Sequence, residues 1–145
     1  MIRLLVLLVS VANPRAAEAQ SAPKPHSANT FRCEFPVNVA ADMRAEPAVT
    51  TTQRERFELI FDQVDAQKGT GRLIGNFGGS NVTVLAADEA ITILEPVSTG
   101  IVQITVIYAA RAGDGTFKAV HSRHTSVPGG EPLPSQYYGT CRALL

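Results

Sequence analysis

The chain contains no tryptophan, and aromatic residues make up only 6% of it. A protein that grips sugars by ring stacking depends on such side chains, so a carbohydrate platform is disfavoured. Neither sign of charge dominates: 13 Lys and Arg stand against 13 Asp and Glu, with no block of either. The electrostatic footprint of a nucleic-acid or anionic-membrane binder is therefore missing. Long apolar runs are missing too. The run Leu4 to Ala12 is too short to cross ~30 Å of hydrocarbon as a helix, so no membrane span is expected. Cysteine is scarce. Cys33 and Cys141 are the only two, and neither has a second cysteine or a histidine at zinc-ligand spacing.

What is present begins with a leader. MIRLLVLLVSVANPRAAEAQ has a basic start at Arg3, the apolar run, a break at Asn13-Pro14, and small residues at Ala17 and Ala19. This is the pattern of a cleaved secretory signal over residues 1–19, which predicts export to the periplasm or the extracellular space. The leader holds Arg3, Arg15 and Glu18, so its removal barely changes the charge balance. Residues 20–30, QSAPKPHSANT, are rich in Pro, Ser and Ala and read as a flexible lead-in, with His26 solvated. Residues 31–145 form one domain. In an exported chain Cys33 and Cys141 are expected to bridge. A loop of about a hundred residues closed in this way is worth ~4–5 kcal/mol in the chain-entropy account.

From Phe31 onward short β-branched runs alternate with turn signals. The runs are Phe31–Phe35, Arg56–Val64, Thr70–Phe77, Asn81–Ala86, Ala90–Glu95, Ile101–Ala109, Thr116–Thr125 and Ser135–Leu144. Val82/Val84 and Ile91/Ile93 fall on one face, Thr83 and Thr92 on the other. Asp114-Gly115 is a strong hairpin signal. These features predict an all-β, antiparallel meander of about eight strands. A bridge between the first and last strands would bring the sheet edges together, which favours a small closed or nearly closed barrel over a two-sheet sandwich. Residues 37–55 are ambiguous between a loop, a short helix near Ala40–Arg44 and an edge strand.

The stretch FKAVHSRHTSV raises the question of chemistry. On a strand His121 and Arg123 share one face, Ser122 and His124 the other, so the two imidazoles diverge and a metal pair is disfavoured. Both faces are mixed, and parity does not say which histidine points inward. Ser122 turns away from His121, and no spacing ties Asp62, Asp65 or Glu95 to either histidine as a triad acid. There is no G-x-S-x-G elbow. GTGRLIGNFGG fails as a dinucleotide loop, because Ile74 occupies the third glycine's place and no helix follows. Asn81-Val82-Thr83 is a formal glycosylation sequon. In PSQYYGTC, Tyr137 shares parity with Cys141 and should pack inside, while Tyr138 presents its phenol outward. Gly139 allows close backbone approach. The weak binding candidates are His121, Arg123 and Tyr138, with no catalytic residue, metal or cofactor expected.

The segments AVHSRHT and PSQYYGTC, with LIGNFG and ITILE upstream, resemble small secreted bacterial proteins of no assigned function. The resemblance spans roughly Phe57 to Cys141 and implies no activity. The chain cannot carry the Gly-x-Trp signature of lipocalins, and it has no Ser-Gly-x-x-Tyr loop of the inhibitors of c-type lysozyme, since Ser98-Thr99-Gly100 is not a match. The reading that follows is a non-catalytic exported binding module. Its partner would be a protein, or a small apolar ligand in a pocket lined by Phe57, Phe61, Val84, Ile93 and Val106. The alternative is an envelope structural or inhibitory protein acting on a protein partner. Protein recovered from the exported fraction should begin at Gln20, and neither cysteine should alkylate before reduction. N-terminal sequencing and intact mass check both points; a retained Met1 or two free thiols would refute them.

Overall fold

The computed structural model describes residues 23–75, 78–97, 101–126 and 129–144. The leader, the cut after Ala19, Phe77 and residues 98–100 lie outside the described residues. The strands are β1 (Phe31–Asp42), β2 (Val49–Asp65), β3 (Thr70–Gly75), β4 (Gly78–Ala87), β5 (Ala90–Pro96), β6 (Val102–Arg111), β7 (Phe117–Ser126) and β8 (Pro132–Ala143). Each pairs antiparallel with the next, and β8 pairs with β1, so the sheet closes into a barrel rather than splitting into a sandwich.

Alternation explains which residues face inward. On β4 and β5, Val82, Val84, Ile91 and Ile93 are buried, while Thr83 and Thr92 face out. β2 keeps Phe57, Leu59 and Phe61 on the inner side. Gln63, at φ 51°, then shifts the phase so that Val64 is buried as well. Turns carry their own side-chain support. Asp114 Oδ1 accepts from the Thr116 backbone N–H and hydroxyl, and Gly115 takes φ 81°, as the Asp-Gly signal requires.

The seam between β1 and β8 is the most constrained part. Cys33 lies opposite Cys141, the two are bridged, and both are fully buried. Just beyond them β1 bulges: Glu34 pairs with Thr140 and Val37 with Tyr138, so Phe35 and Pro36 together face Gly139. Pro36 has no N–H to lose at this break in the ladder. A Cβ on residue 139 would overlap the Glu34 carbonyl oxygen, so only glycine fits.

Of the alternatives open for residues 37–55, strand is the one found: apart from the turn at 43–48 they form the outer half of the β1–β2 hairpin, paired from Val37↔Arg54 to Asp42↔Val49, with no helix at Ala40–Arg44. Both sides of β2 there meet solvent from Val49 to Arg56, which is why the sequence shows no alternating burial. The described part of the lead-in, residues 23–30, is docked rather than loose. A 3-10 turn, Pro25–Ser27, buries Pro25 at one end of the barrel. The Val64 N–H donates to the Asn29 carbonyl, and the Arg111 guanidinium donates to the Pro23 carbonyl while lying 3.9 Å over the Phe117 ring. His26 is exposed, as expected.

The barrel is filled. Phe31, Phe35, Phe61, Val84, Ile91, Ile93, Ile107 and His121 are almost wholly buried and occupy the interior. Two clefts on the described surface hold about 500 Å³, beside the β1 bulge, and about 540 Å³, along β3 and β4. Val106 does not line a pocket, contrary to expectation. Thr105 and Ile107 point inward and Val106 outward, because β6 is apolar on both faces and its phase is set by the polar contact of Thr105 described below. Gly139→Ala should cost about 3 kcal/mol or more through forced separation of β1 and β8. Chemical denaturation against the parent protein measures it, and an unchanged midpoint would mean the seam is looser than described.

Candidate functional site: the polar layer at the open end

The barrel's two ends differ. One is sealed by residues 23–30. The other is the end from which the β1–β2 hairpin projects, called the open end because nothing among the described residues there corresponds to residues 23–30. Toward this open end the inner face turns polar. Six strands contribute through their phase: Asn38 from β1, Glu55 from β2, Glu95 from β5, Thr105 from β6, His121 and Arg123 from β7 and Tyr137 from β8.

His121 is the floor of this layer. It is 1% exposed and opposite Thr105 on one side and Tyr137 on the other. Thr105 Oγ1 and His121 Nδ1 share a hydrogen bond at 2.8 Å. Phe57, Tyr137 and Phe35 pack around the ring at centroid distances of 5.3, 5.8 and 5.9 Å, and Nε2 has no partner among the described residues. Burial drives the His121 pKa down to about 4, with the Arg123 charge adding to the effect, so the ring is neutral at pH 7.

Arg123 stands above it, half-buried. Its Nη1 donates to Tyr137 Oη at 3.1 Å, and the guanidinium lies 5.9 and 5.8 Å from the Phe57 and Tyr137 ring centroids. Its Nε–H is buried without a partner, and no ion pair among the described residues includes Arg123. Glu95 is near enough to feel the guanidinium, yet burial still raises its carboxyl pKa; a bond from Ser80 and the Arg123 charge only moderate this. Across the mouth Asn38 Nδ2 donates to Glu55 Oε2 at 3.2 Å, and Asn38 Oδ1 has no partner among the described residues.

Of the residues singled out from sequence, His121 and Arg123 are brought together inside. Tyr138 is not with them. It faces outward, 42% exposed, and its hydroxyl donates to Gln136 Oε1. His124 also faces outward, with Nδ1 3.3 Å from the Val102 carbonyl, so the two imidazoles sit on opposite sides of the wall. Thr105 and Asn38 were missed. Thr105 carried a weak signal, as a polar residue between Gln103 and Ile107 on one phase of β6. Comparison of the chain with protein-family models, with curated proteins and with solved structures finds no match.

The unfolded imidazole takes a proton near pH 6.5, whereas the folded one resists it until about 4. Stability tied to a neutral His121 is thus complete above pH 6.5 and falls as the pH drops toward 4, by about 3 kcal/mol in total. Glu95, with its raised carboxyl, works in the opposite sense. His121→Gln should remove the imidazole contribution, so the stability difference between parent and variant should shift by this amount between pH 7 and 4. Urea denaturation at both pH values reads it; a difference independent of pH would show that folding leaves the affinity of the ring for its proton unchanged.

Proposed function

We propose that this chain is an exported, non-catalytic recognition module that binds a protein partner at the open end of its barrel, with Arg123 taking an acidic group. The observation that carries this reading is the half-buried guanidinium whose Nε–H has no partner and which joins no ion pair among the described residues. A charged donor held out of water without an acceptor is costly, and a carboxylate from outside relieves that cost through charge-assisted hydrogen bonds. The filled lumen favours surface recognition over carriage of an apolar ligand. The Thr105 hydroxyl bonded to His121 is shut away from solvent with the ring, out of reach of a substrate, which supports binding over catalysis. Export is supported by the leader pattern and by a buried disulfide, the kind of bond that persists in oxidising compartments.

Native mass spectrometry of the protein purified from its own envelope, in the oxidised state, tests the proposal. The protein should carry a protein partner and no lipid-sized molecule. Arg123→Gln should weaken retention at least tenfold, about 1.4 kcal/mol, while Lys68→Gln at the sealed end leaves it unchanged. A tightly held apolar small molecule, or retention indifferent to Arg123→Gln, would overturn it.

A further inference from the structure

The barrel body is closed, but β2 outruns its neighbour on one side. β1 accompanies β2 from Val49 to Phe61, whereas β3 pairs with it only from Ile60 inward. β8 in turn covers β1 as far as Ala40. Residues 49–56 of β2, all exposed, therefore present an open strand edge at the mouth of the barrel, and nothing among the described residues bonds to it. Natural sheets commonly blunt such edges with proline or lysine. This one is unguarded: Val49-Thr50-Thr51-Thr52-Gln53-Arg54-Glu55-Arg56 holds no proline, glycine or lysine, and its first four residues are β-branched.

The register says which peptide groups point to that edge. Along a strand the side-chain face and the direction of the N–H and C=O alternate together. The Asn29 carbonyl accepts from Val64 on the β2 side, and the next carbonyl, that of Thr30, accepts from Leu144 on the β8 side. Inward residues of β1, such as Phe31 and Cys33, thus bond to β2, and the inward residues of β2 opposite them bond back. Beyond the bulge the inward Asn38 lies opposite Gln53, so Gln53 and Thr51 continue this ladder. The outward residues Thr50, Thr52 and Arg54 turn their N–H and C=O groups to the open side. Arg54 joins no ion pair among the described residues, whereas Arg56 is held by Glu58 at 2.6 Å.

We propose that an extended segment of the protein partner adds to the sheet as a further strand along residues 49–56 of β2. It exchanges backbone hydrogen bonds with Thr50, Thr52 and Arg54 and sets an acidic side chain against Arg54. The edge itself defines this occupant: donors and acceptors repeating at strand spacing are matched by an extended peptide backbone. Residues directly opposite across a ladder share a face, so the side chain beside the unpaired Arg54 guanidinium is a carboxylate. The inference rests on the reading of the open end as a site for a protein partner, and it states the form that partner takes there. Side chains on the inner face of the added strand are turned toward the mouth, where Arg123 stands.

The test compares the complex purified from its own envelope with the same chain stripped of its partner, by hydrogen exchange read residue by residue. In the complex the amides of Thr50, Thr52 and Arg54 should slow at least tenfold, and those of Thr51 and Gln53, already bonded to β1, should change far less. Thr52→Pro removes an N–H from the open edge and leaves the β1 ladder intact. It should weaken retention of the partner at least tenfold in native mass spectrometry, with a thermal midpoint near that of the parent, and Arg54→Glu should do the same. Exchange that slows without this alternation or outside residues 49–56, or retention indifferent to either variant, would overturn the added strand and leave recognition by Arg123 standing. A chain that carries no protein partner overturns both. If Thr52→Pro does not fold, Thr50→Pro replaces it with the same expectation, and the exchange pattern of the parent complex decides in either case.

Discussion

Pairing of β1 with β8 is the constraint on which the rest depends. Seven of the barrel's ladders join strands adjacent in sequence and close over short turns, but this one joins the two ends of the domain. Long loop closure is entropically costly, and the Cys33–Cys141 bridge removes much of that cost from the unfolded chain. Closure also removes the exposed sheet edges that a meander would otherwise present. The seam is equally a steric device. The β1 bulge at Phe35-Pro36 brings backbone against Gly139, and this phase shift turns both Phe35 and Asn38 inward. The apolar floor and the polar rim of the open end thus meet at the same irregularity.

Polar residues inside the barrel follow a gradient. Near the sealed end the interior is apolar, with Phe31, Phe61, Phe117 and the disulfide in contact and the docked Pro25 beneath them. His121 and Thr105 mark the transition, each satisfying one polar atom of the other. Beyond them come Arg123, Asn38, Glu55 and Glu95, which need water or a partner. A single domain therefore offers a rigid, dry base and a chemically varied rim, the combination that suits recognition.

Much of this was legible in the residues, for identifiable reasons. Val82/Val84 and Ile91/Ile93 have threonines between them, so their phase is unmistakable. Tyr137 inherits its inward direction from the buried Cys141 two turns of the pleat away, which leaves Tyr138 outside. The hairpin over residues 37–55 was not legible, because it extends past its neighbours and solvent reaches both of its faces. The docking of Pro25 was hidden in a composition that normally marks loose chain. The direction of His121 could not be read from its own strand, since Phe117 and Ala119 on one face are matched by Val120 on the other. It needed the register with β6.

That register has a consequence for how the chain finds its fold. β6 has Ile107 on its inner face and Ile104 and Val106 on its outer face. A slip of one residue would exchange one apolar set for another, and burial alone would hardly oppose it. The slipped pairing would set an aliphatic side chain against the His121 ring and leave Nδ1 as stranded as Nε2. An orphaned buried polar atom costs about 1–3 kcal/mol. The Thr105–His121 bond therefore acts as a registration key: it adds little to the strength of the barrel but selects which of two nearly equivalent alignments the last half of the sheet adopts.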